Sequence, residues 1–510
     1  MDTFGLEVLQ DLSHFSLIKE GSSPFPYSFV QKHKLIALHK TDEEELWVAM
    51  SDPLDLDALE EAKHLSGLHI KEFLASKELI EHAIQKCFGA SGANLSRMIE
   101  DLKNEEGVKE EREISDGYDL LAAESEAPVV RILNALIIEA IGQRASDIHF
   151  EPTEEGLQVR YRIDGVLQYR HAPPRDLQNQ ILTRIKVLSR LDIAEQRLPQ
   201  DGRIKLRVSD REIDFRVSSI PVVHGERIVL RILDKNQVLL GLSSIGMRDA
   251  MLHSFQRAIR CTEGIILVTG PTGSGKTTTL YSALCDIKSP EINIMTIEDP
   301  VEYKLSGMAQ IGVNPRIKLD FGTGLRHILR QDPDVIMIGE IRDRETAEIA
   351  IQASLTGHLV ISTLHTNDAP SAITRLVDMG IEPYLLSSSL IGVMAQRLVR
   401  RLCPHCKVAH ECSGKESRGL FLKTSRVFHP SGCSLCFQTG YQGRAGIYEW
   451  MMVDHLIRQQ LLKSADSSEL KKIALEGGLS TVKREVEILV ESGETSIAEA
   501  LRVCRGIDDL

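Results

Sequence analysis

A glycine-rich bend running Gly270, Pro271, Thr272, Gly273, Ser274, Gly275, Lys276, Thr277, Thr278 has the residue types to grip a triphosphate. Gly273 and Gly275 let the backbone curl until successive N–H groups face the phosphates. Lys276 supplies a cation for the β- and γ-phosphates, and Thr277 a hydroxyl suited to Mg²⁺. Carboxylates that could act on the γ-phosphate follow in two places: Glu298, Asp299 and Glu302 in "INIMTIEDPVEY", and Glu340 in "DVIMIGEIRD". The second stretch raises a question. Four apolar residues, Val335–Ile338, read as a buried strand of the kind that ends in an Asp helping to hold Mg²⁺, yet Gly339 stands there. A third group is sulfur: "CPHC" (Cys403, Cys406) and "CSLC" (Cys433, Cys436) each present two thiols at knuckle spacing. Together they can close a tetrahedral S₄ site for a structural Zn²⁺, which we favour over redox thiols or an iron–sulfur centre.

These residues need a frame that brings them together. "GIILVTGPTGSGKTTTL" is an apolar strand, a glycine-rich turn and a helix, the context a phosphate loop requires. From about 247 to 400 strands alternate with helices, which predicts a mainly parallel, doubly wound sheet. Ligands of such a sheet gather beyond the carboxyl ends of its strands, so the acids after "INIMTI" can share a nucleotide with Glu340. A glycine before Glu340 is then tolerable if the acids after the neighbouring strand orient water and metal instead. The alternative for Glu298 and Asp299 is a loop that caps a helix or pairs with arginine. His365 ends the strand "LVISTL" at the same edge, in position to sense the γ-phosphate.

The expected fold class is α/β multidomain. Residues 1–90 read as a small N-terminal α/β domain, with "LWVAM" a strand and "SKELIEHAIQKCF" a helix capped by Ser76 with Leu79, Ile80, Ala83 and Ile84 on one face. Residues 91–118 read as an acidic linker rather than an exposed helix. A β-rich middle domain is expected over 119–238, where "EIDFRVSSIPVVHGERIVLRILD" gives two strands around a turn. The nucleotide core occupies 239–400, the tetracysteine zinc element 401–437, and a mostly helical C-terminal part 438–510, where "SIAE" (Ser496, Glu499) fits a capping box.

Composition narrows the function classes. The 510 residues carry a formal net charge of −13 and only 5% aromatics, which argues against a basic, base-stacking channel and hence against a nucleic-acid translocase. No stretch reaches the roughly 18–20 apolar residues of a membrane span. "MDTFGLEVLQ" lacks the basic and apolar regions of a secretory signal, so a cytoplasmic location is expected. Nine cysteines in so long a chain are too few for a disulfide scaffold. Cys87, Cys261, Cys285 and Cys504 read as ordinary core thiols.

"GPTGSGKTTTL", "TIEDPVEY", "LRHILRQDPDVIMIGEIRD" and "TGHLVISTLHTNDA" resemble the Walker A, Asp box, atypical Walker B and His box of the secretion ATPase superfamily, the motors of type II secretion and type IV pili. "RASDIHFEP" and "DGR" resemble its middle, PAS-like domain, and "LWVAMSDPLDLDALEE" resembles the N-terminal module of the type II secretion branch. The resemblance implies a RecA-like P-loop core, ATP and Mg²⁺ as ligands, Glu302 as the water-activating base, Glu340 as the Walker B acid, and His358 and His365 as the His-box pair. It also implies that Arg216, Arg231, Arg326 and Arg330 serve the phosphates, some across a subunit boundary, in a homohexamer. The tetracysteine element points to type II secretion or pilus assembly rather than pilus retraction. In that branch the N-terminal module docks on an inner-membrane platform protein, which implies peripheral membrane association. Type IV pilus extension is the nearest alternative, and a non-catalytic nucleotide-binding scaffold is disfavoured by intact Lys276, Thr277, Glu302 and Glu340.

Overall fold

In the computed structural model the described residues are 7–9, 24, 25, 29, 30, 33–40, 45–53, 55–66, 69–77, 79, 80, 83, 128–208, 211–234, 241–412 and 419–504. The expected linker at 91–118, Ile84 and Cys87 lie outside them. The chain divides into two compact units, Met1–Asn236 and Gln237–Leu510.

Among the described residues the first unit contains two sheets. Strands β1 (Glu7–Leu9), β2 (Leu35–Lys40), β3 (Glu45–Met50) and β4 (His69–Ala75) form a four-stranded sheet in the order β1-β4-β3-β2, with helix α1 (Leu56–Ser66) crossing between the parallel pair β3 and β4. Ser76 accepts the Leu79 N–H at 3.3 Å, the helix start read from the sequence.

Helix α2 (Pro128–Gly142) precedes a six-stranded antiparallel sheet made of β5 (Ala145–Pro152), β6 (Leu157–Ile163), β7 (Val166–His171), β8 (Gln200–Val208), β9 (Arg211–Val222) and β10 (Gly225–Asp234). Helix α3 (Gln178–Leu188) lies between β7 and β8 in sequence. Period-2 alternation explains why only one face is apolar. Ile148 and Phe150 of β5 are buried with Leu133, Leu136 and Ile137 of α2 in one core, while the intervening Asp147, His149 and Glu151 pair with Arg231, Arg227 and Arg160. The two strands expected around "PVVHG" are β9 and β10.

The second unit is built on a seven-stranded sheet in the order β13-β12-β14-β15-β11-β16-β19. Its strands are β11 (Gly264–Thr269), β12 (Ile294–Glu298), β13 (Ala309–Gly312), β14 (Val335–Ile338), β15 (Leu359–Leu364), β16 (Leu390–Leu402) and β19 (Tyr441–Met452). All pair in parallel except β19, which runs antiparallel to β16. Every residue of β11, β12, β14 and β15 is buried, as strands covered on both faces require. Helices α4 (Asp249–Ala258) and α5 (Lys276–Ile287) share one core with the sheet; α6 (Phe321–Ile328), α7 (Arg344–Leu355), α8 (Ala369–Asp378) and α9 (Pro383–Ser389) share the other. A small hairpin, β17 (Val408–Glu411) with β18 (Arg426–His429), lies between β16 and β19 in sequence. Among the described residues four helices follow β19: α10 (His455–Lys463), α11 (Ser467–Glu476), α12 (Val482–Glu491) and α13 (Ile497–Cys504).

The start of α13 shows how this C-terminal part is held. The Ser496 hydroxyl accepts the Glu499 N–H at 3.2 Å, one half of the expected capping box. The Glu499 carboxylate goes instead to Arg400 on β16, at 2.9 Å, and to Arg502, at 2.6 Å. Burial alone would raise its pKa, but the bonds to Arg502 and Arg400 bring it down to about 2 from 4.5. A carboxylate depressed on folding stabilises above its unfolded pKa and loses that contribution as pH falls through the folded value. Glu499→Gln should therefore cost about 3 kcal/mol at neutral pH, from the size of that shift. Measured by denaturant unfolding, the gap between variant and wild type should close as pH falls from about 4.5 toward 2.

Candidate functional site

Strand β11 delivers the phosphate loop. Gly270, Gly273 and Gly275 take φ of 144°, 78° and 87°, a region that favours glycine. At Gly270 a Cβ would also sit 2.3 Å from the Gln396 carbonyl oxygen, so β16 closes against the loop from behind. Thr279 donates to the Gln396 side chain at 2.8 Å and locks α5 to that strand. Lys276 Nζ donates to the Gly270 and Pro271 carbonyls at 2.8 and 3.2 Å. Burial holds this ammonium below its ordinary range, against the pull of the Glu340 charge. Among the described residues the buried Ser274 hydroxyl finds no hydrogen-bond partner, a polar atom in the loop left for a ligand to satisfy.

The loop faces a cleft of ≈ 460 Å³. Thr272 to Thr278 line one side; Glu298, Asp299, Glu302, Gly339, Glu340 and His365 line the other. The acids after β12 and after β14 thus reach one cavity, together with the strand-end histidine. Glu340 hydrogen-bonds Arg342 and, at 3.2 Å, His365 Nε2. Burial pushes its carboxyl up, yet Arg342 and His365 together hold it below the usual carboxylate range.

Gly339 answers the question raised by its strand. A Cβ there would lie 3.3 Å from the Ile297 carbonyl oxygen and 3.4 Å from the Glu298 Cα, and the Gly339 N–H already bonds Ile297 O at 2.8 Å. Strands β12 and β14 approach so closely at their ends that an aspartate would press on backbone. The acid is displaced to the next residue, Glu340, and to the loop after β12.

Other sequence-selected residues sit elsewhere. His358 stands at the opposite end of β15 from His365, its ring bonded to Ala353 O at 2.8 Å. Arg326 pairs with Glu345, and Arg330 with His327 at 2.8 Å. Arg216 and Arg231 face each other in register on β9 and β10, in the other unit, where Arg231 donates to Asp147 at 3.2 Å. None of these five is among the cleft-lining residues. Arg444 and Leu398, by contrast, do line it and were not singled out from the sequence. The signal available for Arg444 was its setting between Gly443 and Gly446, glycines that inside a strand mark an irregular stretch.

The four cysteines of the two Cys-x-x-Cys pairs converge. Their sulfurs all lie within 4.8 Å of one another, with Cys403–Cys433 at 3.9 Å, Cys406–Cys436 at 3.8 Å and Cys433–Cys436 at 3.6 Å. Thiolates bonded at about 2.3 Å to a tetrahedral metal stand about 3.8 Å apart, whereas a disulfide closes to about 2.0 Å. The donor set therefore fits a metal ion. The Cys433 and Gly440 N–H groups each donate to Cys436 Sγ at 3.2 Å, which favours the thiolate. Burial pushes that thiol up, and these bonds bring it down to about 7.

Comparison with known proteins agrees with this geometry. The family described as "Type II/IV secretion system protein" matches residues 122–502, and the "MshEN domain" matches 4–94. The chain is 44% identical over 486 residues to the type II secretion system ATPase E of Vibrio cholerae, covering 94% of this chain and 96% of that one. It is 45% identical over 484 residues to the type II secretion system protein E of Pseudomonas aeruginosa, with the same coverage of 94% and 96%. The fold is similar to that of the Legionella pneumophila ATPase DotB, with a TM-score of 0.56 at 20% identity over 77% of this chain and 100% of that one. The pilus retraction motor PilT with bound ADP aligns with a TM-score of 0.50 at 26% identity, covering 74% and 98%. A phosphate loop facing paired acids, on a chain matched along nearly its whole length, makes this protein a member of the type II/IV secretion system protein family, an ATP-hydrolysing secretion motor.

Proposed function

We propose that this protein hydrolyses ATP to ADP and phosphate as a homohexamer and so powers pseudopilus assembly in type II secretion. The observation that carries the reading is one cleft shared by Lys276, Thr277, Glu302, Glu340 and His365. In this reading the phosphate-loop N–H groups and Lys276 hold the triphosphate, and Glu302 takes a proton from the water that attacks the γ-phosphorus. The bond to the β-phosphate oxygen breaks and ADP leaves as the anion. Glu340, kept ionised by Arg342 and His365, orients that water and links the γ-phosphate position to the His365 strand. The Thr277 hydroxyl beside these acids would hold Mg²⁺, which would supply neutralisation of the phosphate charge. Arg216, Arg231, Arg326 and Arg330 are assigned to the assembled hexamer, where a neighbouring subunit or a closed unit brings them to the phosphates. The cysteine cluster would hold a structural Zn²⁺, with all four ligands supplied by the protein and a stabilising rather than catalytic role.

Near-full-length similarity to type II secretion proteins favours pseudopilus over pilus assembly. Residues 1–90 are assigned to docking on an inner-membrane platform protein, with the chain peripheral to that membrane. Copurification of the full chain with the cytoplasmic part of a secretion platform, and not with that of a pilus platform, tests the pathway.

Two outcomes check the chemistry. Glu302→Gln and Glu340→Gln should each lower kcat by roughly 10²–10⁴-fold, the usual contribution of a positioned base. Fluorescent-nucleotide binding should stay near wild type, and turnover close to wild type in Glu302→Gln would remove it as base. Metal analysis should find about one zinc per chain, lost in Cys403→Ser/Cys433→Ser, with a lower Tm because metal binding is coupled to folding.

A further inference from the structure

Glu298 ends β12 only 3% exposed, and among the described residues no lysine or arginine forms an ion pair with it. A buried carboxylate normally needs a cation or a full set of donors. Here three neutral side chains supply it: the Tyr281 hydroxyl, Thr296 Oγ1 at 2.6 Å and Gln310 Nε2 at 3.1 Å.

Two of those donors also grip the segment that carries Glu302. A carboxylate only accepts, so the Tyr281 proton is committed to Glu298, and the phenol oxygen is left to accept the Glu302 N–H at 3.3 Å. Gln310 donates to the Tyr303 carbonyl at 3.0 Å and accepts the Leu305 N–H at 2.6 Å. The Tyr281 and Tyr303 rings meet edge to face, 6.2 Å between centroids. Residues 300–308 belong to neither helix nor strand, so these side-chain bonds stand in for a backbone ladder. Tyr281 also lies on α5, the helix that opens with Lys276 and Thr277.

We propose that Tyr281 is a positioning residue for hydrolysis: anchored on the Glu298 carboxylate, it sets the place of Glu302 relative to the phosphate-loop helix, with Gln310 fixing the other end of the same segment. The inference rests on the assignment of Glu302 as base. Burial and the Glu298 hydrogen bond and charge push the Tyr281 phenol well above its ordinary range, so it keeps its proton and acts as a fixed tether.

Tyr281→Phe keeps the ring and removes the oxygen. In the assembled full-length protein it should lower kcat by roughly 10- to 100-fold, the scale of a misplaced catalytic group, while KM for ATP and Tm stay near wild type. Placed in Glu302→Gln, it should change the residual rate little, because the two act as one unit. Equal loss in both backgrounds, or wild-type kcat in Tyr281→Phe alone, overturns the proposal. Should Tyr281→Phe fail to fold, Gln310→Met decides, with lower kcat at unchanged KM supporting the tether and unchanged kcat sinking it. An inactive Glu302→Gln beside a fully active Tyr281→Phe removes only this inference; an active Glu302→Gln removes the base assignment beneath it.

Discussion

The site depends on four parallel strands reaching one sheet edge in matched register. Thr269 of β11 stands opposite Leu364 of β15, Ile338 of β14 opposite Ser362, and Ile297 of β12 opposite Ile338. The residues just beyond each strand are therefore delivered to the same place: Gly270, His365, Glu340 and the acids after Ile297. Slip any pair by one residue and side chains exchange faces, which in a sheet buried on both sides places polar groups among Ile and Val. The hydrophobic core thus enforces the alignment that the chemistry needs. Side chains add small corrections, as where Thr363 donates to the Gly339 carbonyl at 2.7 Å and Thr269 and Thr366 share a hydroxyl contact at 2.8 Å.

Close strand ends have an electrostatic consequence. Glu298, Asp299, Glu302 and Glu340 crowd one wall of a cleft intended for a polyanion. The arrangement is tolerable because the acids are held in different ways. Glu340 is balanced by Arg342 and His365, and its charge supports the Lys276 ammonium across the cleft. Glu298 is almost fully buried and satisfied by neutral donors, so its charge organises its neighbours.

Legibility from sequence followed the range of the interactions. The phosphate loop, the strand at 335–338 and the paired cysteines are local patterns, each with a conformational reason inside a few residues, and each stands in the structure. Glu298 was legible as an acid at a strand end, but its donors Tyr281 and Gln310 lie 17 and 12 positions away and only topology joins them. Strand β19 falls in the stretch read as mostly helical, because a strand joining a distant sheet edge carries no nearby partner to betray it. Arg444 was missed for the same reason. Arg231, Arg326 and Arg330 each bond a partner within their own unit, so no contact in a single chain distinguishes a phosphate-binding arginine from an ion-paired one.

The β16–β19 hairpin connects what the sequence treats as separate parts. Its strands bracket the cysteine cluster, and Leu398 and Arg444 from its length line the ATP cleft. Arg400 and Arg444 stand directly opposite each other, a like-charge pair that destabilises a ladder on its own. Glu499, fully buried, takes both the Arg400 N–H and its guanidinium, and the Tyr441 ring lies 3.9 Å from that guanidinium. Farther along β19, Glu449 accepts the N–H groups of Ala369 and Val482, tying the first residues of α8 and α12 to the strand. The C-terminal helices therefore do more than cover apolar surface. Glu499 neutralises Arg400, and the residue opposite it on the ladder, Arg444, lines the nucleotide cleft.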